Sequence, residues 1–267
     1  MLIAHLSDPH VTTGALSAEP IFGLYRALGR VLALDPQPDC TIITGDLADH
    51  GRADEYDALL EVIDRFPLPL HLVMGNHDDP EAFLDAFAGS PYLGDAAQSH
   101  YSVDYPAMTI VVLDSRQEGK SSGRLGADQL GWLDDVLARR PDVPAFVCLH
   151  HPPIPVGITT LDPIRLLDGP ALAEVIARHR NVKRVLAGHL HRIVSAPFAG
   201  TQLAIAPSTY RQADLTLKPD RPLAFVSDPT GFLLHMAIGA NGGAGSGTDP
   251  WITHAVQVSH AAVATGM

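Results

Sequence analysis

The chain has 267 residues, 46% hydrophobic and 18% charged, enough for a sizeable core in one large domain or a domain with an appendage. Its net charge of -12 argues against a nucleic-acid polymer or an anionic membrane as partner, because phosphate surfaces need basic patches. Cys40 and Cys148 are too few for a disulfide framework, and no apolar run approaches the roughly 20 residues that span a bilayer. The apolar N-terminus lacks a basic leader and a small-residue cleavage site, and Asp8 interrupts it early, so we expect a cytoplasmic protein.

The first two-thirds alternate between strand and helix. Residues 2–6 read as a strand with no solvent face. Residues 21–34 read as a helix, with Leu24, Leu28, Val31 and Leu32 near helical spacing, ending before an Asp-Pro-Gln-Pro breaker. A strand at 41–44, a helix at 53–66, a strand at 71–74 and a short helix at 80–87 follow, Pro80 suiting a first turn. Residues 101–103 and 108–114 predict an antiparallel pair, 127–139 a helix, 145–149 a strand, and 171–180 the last clear helix. Beyond residue 196 the texture changes to short strands at 202–205, 223–226 and 232–238. We divide the chain into 1–238, the main domain, and 239–267, a Gly-rich segment and tail that could pack on that domain or on a partner subunit. Residues 239–247 should be flexible. The alternation at 252–258 leaves open a further strand or packing on a partner subunit, as in a homodimer.

Polar clusters close five of the apolar runs: Ser7-Asp8-Pro9-His10, Gly45-Asp46, Gly75-Asn76-His77-Asp78, His150-His151 and Gly188-His189-Leu190-His191. Carboxylate oxygen and neutral imidazole nitrogen are what a first-row cation wants at neutral pH. Asp8 and His10, one residue apart, project the same way in an extended segment, and His189 and His191 repeat that spacing. Asp46 has two oxygens and could bridge two cations. Asp8, Asp46 and Asn76 are costly to bury unpartnered, and a shared pair of cations accounts for all three together.

In this order the clusters resemble the calcineurin-like metallophosphoesterase superfamily: Asp-x-His, Gly-Asp, Gly-Asn-His-Asp, His and Gly-His-x-His. The resemblance covers roughly residues 1–194. Gly-Asn-His-Asp-Asp, Leu-His-His-Pro-Pro and Gly-His-Leu-His are most similar to the bacterial class III cyclic-nucleotide phosphodiesterases and glycerophosphodiesterases. It implies a four-layer α-β-β-α sandwich with two mixed β-sheets. It implies one metal on Asp8, His10, Asp46 and His191, and a second on Asp46, Asn76, His150 and His189, with Asp46 bridging. His77 is then catalytic rather than a ligand, and Asn76 joins it in stabilising charge on the phosphoryl oxygens. The implied cofactors are two divalent or trivalent ions, iron, manganese, zinc or cobalt, with iron and manganese favoured. The implied reaction is attack of a metal-bound hydroxide on a small phosphodiester, of cyclic AMP type.

The alternatives are a glycerophosphodiester phosphodiesterase, a promiscuous phosphomonoesterase, a nuclease, or a scaffold that has lost its metals. The acidic balance counts against the nuclease and the intact ligand set against the scaffold. Asp49 and Asp78 are candidates to orient ligand imidazoles, although Asp78 or Asp79 could equally cap the helix that follows. His5 reads as structural, and His151 as lining the pocket or packing beside it. Arg192 reaches a substrate or pairs on the surface, and residues 114–116 suit a turn. Substrate selection should come from loops at 11–20, 152–163 and 208–222.

Overall fold

Strands β1 (Leu2–Leu6), β2 (Cys40–Thr44) and β3 (Leu70–Val73) are buried along their whole length, so their sequences run apolar without alternating. They lie parallel in the order β1-β2-β3. Helix α1 (Ala18–Leu32) makes the first crossover and α2 (Ala53–Ile63) the second. Helix α3 (Pro80–Phe87) follows β3; Asp79 caps it by accepting hydrogen bonds from the Glu81 and Ala82 amides, and Pro80 fills its first turn. The computed structural model describes residues 1–219, 221–239 and 250–258.

The second sheet begins with the antiparallel pair β4 (Tyr101–Tyr105) and β5 (Met108–Val112). It continues in parallel through β6 (Ala145–Cys148) and β7 (Val182–Ala187), with α4 (Gly126–Arg139) and α5 (Gly169–Arg178) as crossovers. Strand β8 (Val194–Phe198) is the outer edge beyond β9 (Thr201–Ile205), and a two-strand ribbon pairs β10 (Gln212–Ala213) with β11 (Phe225–Val226). The chain then returns to the first sheet as β12 (Gly231–Ala237), antiparallel to β1, and β13 (Trp251–Gln257) pairs antiparallel with β12.

Period-two alternation divides the second sheet between two cores. Ile110, Val112, Phe146, Cys148 and Leu186 face inward and join the cluster built on the first sheet, whereas Val111, Val147, Val185 and Leu203 face α4 and α5. The layers are therefore α-β-β-α, with two mixed sheets, as expected. Each leucine fully withdrawn from water contributes roughly 2 kcal/mol, so this double-sided burial dominates the stability.

Most predicted elements stand within two or three residues of their expected ends. Strand β8 was not anticipated: Pro197 lowers its strand signal, and an edge is where a sheet tolerates a proline. Residues 252–258 supply most of β13, and the expected flexible stretch 239–247 lies, apart from residue 239, outside the described residues.

Candidate metal centre

All five polar clusters leave the carboxyl ends of parallel strands, β1, β2 and β3 of one sheet and β6 and β7 of the other. The ladders continue a few residues into the loops: Asp8 N donates to Gly45 O (3.1 Å), His10 N to Asp46 O (2.9 Å), and Gly188 N to His150 O (3.0 Å). The sheets are joined where the His189 amide donates to both oxygens of the Asp8 carboxylate at 3.1 Å. Two glycines permit this approach. A Cβ at Gly75 would strike the Asp46 nitrogen and carboxylate, and one at Gly188 would strike Ser7 Oγ and the Thr44 carbonyl.

Asp8, His10, Asp46, His189 and His191 all have φ between 46° and 71°, and they are five of the seven described non-glycine residues in the left-handed region. Such a backbone costs on the order of 1–2 kcal/mol per residue and persists only where its surroundings fix it. Here the fixing is visible. Asp78, buried, accepts from the amides of Leu47 (3.1 Å), Ala48 (3.0 Å) and Gly75 (2.8 Å) and from the Tyr56 hydroxyl (3.1 Å), tying the β2 loop to the β3 loop. Ser208 Oγ donates to the Asp8 carbonyl at 2.6 Å.

Seven side chains meet at this junction. Asp46 is central: its Oδ2 lies 3.5 Å from His10 Nε2 and its Oδ1 3.4 Å from His150 Nε2. On the first side, His10 Nε2 and His191 Nε2 are 3.0 Å apart, and Asp8 Oδ1 is 3.6 Å from His191 Nε2. On the second, His150 Nε2 is 3.2 Å from both Asn76 Oδ1 and His189 Nδ1. Asp8, His10, Asp46 and His191 offer ligand atoms that all lie within 4.8 Å of one another.

The outer nitrogens set the tautomers. His10 Nδ1 donates to Asp49 Oδ1 (2.9 Å), His150 Nδ1 to the Thr44 carbonyl (2.8 Å) and His191 Nδ1 to the Arg211 carbonyl (2.9 Å). Each inner Nε2 is thus left with a lone pair. Two facing acceptors at 3.0 Å call for a proton or a metal cation between them, and His189 Nε2 is buried without a hydrogen-bond partner. Carboxylate oxygen, amide oxygen and imidazole nitrogen converge, and this donor set fits two first-row metal ions.

Burial would raise the Asp46 carboxyl, but His150 and His10 outweigh it and hold the group well below the usual carboxylate range. Burial leaves Asp8 raised to about 6. His150 is raised to about 9 against its burial by Asp46 and Asp8, whereas burial and the His150 charge lower His189 to about 3.

Asn76 and His77 reach the cleft from the β3 loop. His77 is exposed; its amide donates to Asp46 Oδ1 (2.9 Å) and its Nδ1 to the Asp49 carbonyl (2.8 Å), so Nε2 is left for the cleft. Its ring stands edge-on to His10 at 4.7 Å. Of the candidate orienting carboxylates, Asp49 holds His10, whereas Asp78 touches no imidazole and the helix cap is Asp79. His151 is packed beside the cluster with both ring nitrogens engaged, Nδ1 by Ser115 Oγ (2.8 Å) and Nε2 by the Ser121 carbonyl (3.2 Å). Arg192 donates to the Ala213 carbonyl and pins the ribbon.

Residues 1–192 match the calcineurin-like phosphoesterase family over most of the chain, including every one of these clusters. The chain is a calcineurin-like phosphoesterase. Among relatives of this phosphoesterase, a probable cyclic nucleotide phosphodiesterase of Synechococcus is 36% identical over 71% of this chain and 71% of its own length. A cAMP/cGMP dual specificity phosphodiesterase of Mycobacterium tuberculosis is 35% identical over 81% of this chain and 70% of its own. The glycerophosphodiester phosphodiesterase GpdQ of Enterobacter lignolyticus is 28% identical over 97% and 92%. In fold, the phosphoesterase is similar to a dimetal phosphatase from Danio rerio, with a TM-score of 0.60 at 16% identity over 97% of this chain and 99% of that one. No helix among the described residues is long and apolar enough to cross a membrane.

The residues missed in the sequence are Arg211, Leu223 and Phe225, which line the cleft with His10, Asp46, Asn76 and His77. They come from the ribbon β10–β11 and its flanks; a strand at 223–226 and a selectivity loop at 208–222 were expected there, but nothing marked these three side chains for the cleft. Two of the three expected selectivity loops do reach the cleft, through Leu161 and through Arg211 and Ala213.

Proposed function

We propose that this phosphoesterase is a dinuclear metal-dependent phosphodiesterase of small phosphodiesters, cyclic nucleotides of the cAMP type foremost. Asp8, His10, Asp46 and His191 hold one ion; Asp46, Asn76, His150 and His189 hold the other. The observation that carries this assignment is the position of Asp46, whose two oxygens face imidazoles of two different groups. When bound, the ions supply Lewis-acid stabilisation of the phosphoryl oxygens and lower the pKa of a coordinated water. Nitrogen and oxygen donors suit iron, manganese, zinc or cobalt alike, and the family resemblance, not the donor set, favours iron or manganese.

The chain's own groups do the rest. Asn76 orients the phosphoryl group beside the ions. His77, its Nδ1–H tied to the Asp49 carbonyl, presents Nε2 to the cleft, where a proton on Nε2 would pass to the leaving oxygen. Asp49 thereby positions two imidazoles, His10 through its carboxylate and His77 through its carbonyl. A cytoplasmic setting accords with two buried cysteines that are both unpaired.

Glycerophosphodiesters are the second reading, favoured by the near full-length match to the Enterobacter enzyme. Turnover of 3′,5′-cyclic AMP, 2′,3′-cyclic AMP and glycerophosphoethanolamine on metal-loaded enzyme decides between them. We expect the highest kcat/KM with a cyclic nucleotide; a preference for glycerophosphoethanolamine by tenfold or more would reverse the order.

A further inference from the structure

The cleft before the histidines encloses about 290 Å³, the scale of one mononucleotide-sized ligand. The polar groups of the histidine cluster share its lining with the apolar side chains Leu161, Ile164, Leu223 and Phe225. Phe225 and Leu223 remain 41% and 40% exposed, an unfavourable way to leave large apolar side chains at a polar site unless a ligand covers them. The Phe225 ring lies 5.5 Å from the His191 ring, directly beside the metal ligands.

Arg211 belongs to the same lining. Its guanidinium carbon lies 4.0 Å over the Phe225 ring and 5.1 Å from the Tyr210 ring. Among the described residues no carboxylate pairs with it, and its Nε is buried without a partner. Its backbone carbonyl meanwhile holds His191 Nδ1 at 2.9 Å, so one residue fixes a ligand imidazole and carries a planar cation into the cleft. An arginine stacked on an aromatic ring with no anion keeps its in-plane donors and its outer face for something else.

We propose that Arg211 and Phe225 form a stacking platform for a nucleobase, holding the base of a cyclic nucleotide while its phosphodiester lies against the histidine cluster. This rests on the phosphodiesterase reading above and names the feature that would select its substrate. A base has a π-face for the guanidinium and ring, and acceptors on its edge for the guanidinium N–H groups. Glycerol offers hydroxyls and no flat face, and would leave the apolar side chains wet. The platform should therefore bind the nucleoside, which stays joined to the phosphate when the ring opens, and be felt in KM more than in kcat.

Steady-state kinetics of metal-loaded enzyme test it, with cyclic AMP and glycerophosphoethanolamine as substrates with and without a base. Phe225→Ala should raise KM for cyclic AMP about tenfold, the scale of one lost base–aromatic stack, and for glycerophosphoethanolamine less than about twofold. Phe225→Trp should restore most of the difference. Arg211→Lys, which keeps the charge but loses the plane, should behave as Phe225→Ala does. On the unaltered enzyme, adenosine should compete with bis(p-nitrophenyl) phosphate whereas ribose should not, a result that does not depend on any variant folding. Equal KM increases for both diesters, wild-type KM for cyclic AMP in Arg211→Lys, or no competition by adenosine would each overturn the platform. Hydrolysis of bis(p-nitrophenyl) phosphate without hydrolysis of cyclic AMP would overturn it too and leave the diesterase reading standing. No hydrolysis of any diester would remove both.

Discussion

At the scale of single residues, Asp46 and His77 separate binding of the metals from the chemistry. Asp46 is buried at the junction of the two ligand groups, so Asp46→Ala should strip both ions; elemental analysis finding either site at wild-type occupancy would contradict a bridging role. His77 touches Asp46 only through its amide, and its ring is held from Asp49. His77→Ala should therefore keep both metals while kcat falls by roughly 10²–10⁴, the usual contribution of a positioned acid, and more steeply for poor leaving groups. Collapse of metal content in that variant would make His77 a ligand. The ligand residues were legible because each is a polar residue ending an apolar run, a combination expensive to bury without a cation. Asp78 was not: its four backbone and hydroxyl donors come from three separate segments, and no local spacing announces that. Arg211 and Phe225 were hidden for the same reason: Arg211 flanks β10 and Phe225 lies in β11, and no local spacing marks either side chain for the cleft.

At the scale of elements, two of the ligand-delivering strands and their neighbour β12 carry three buried histidines outside the cleft lining. Burial lowers His5 on β1 to about 3 and His71 on β3 to about 4, and burial together with His5 depresses His235 on β12 further below its ordinary value. His5 lies 3.3 Å from His235 and 2.9 Å from Thr44 Oγ1, and His71 Nε2 lies 2.7 Å from the Tyr105 hydroxyl, so all three serve the fold. Unfolded, each titrates near 6.5; folded, each stays neutral well below that. Above pH 6.5 neither state takes up the proton and stability is unaffected. As pH falls from about 6.5 towards 4 the unfolded chain binds more protons, and each histidine removes about 1.4 kcal/mol per pH unit. Urea melts at pH 7 and pH 5 should thus show a marked loss of stability on acidification, lessened in His71→Phe. Equal midpoints at the two values would contradict it. Strand identities were legible wherever both faces are buried, and least so at the proline-bearing edge β8, where the sheet rather than the local sequence makes the strand.

At the scale of the whole molecule, two sheets bring the carboxyl ends of five parallel strands to one junction, and the strained loops there are held by buried hydrogen bonds from both sides. The layer order was readable because double-sided burial and crossover helices leave continuous apolar runs punctuated by caps and prolines. The junction between the sheets was readable only through its chemistry, since no periodicity relates residue 8 to residue 189. We read this junction as a two-metal hydrolytic centre. The most direct test of that reading is a manganese titration of chelator-treated protein, followed by hydrolysis of bis(p-nitrophenyl) phosphate. We expect activity to appear with metal and to saturate near two ions per chain; activity independent of metal, or none at any manganese, iron, zinc or cobalt concentration, would contradict the claim.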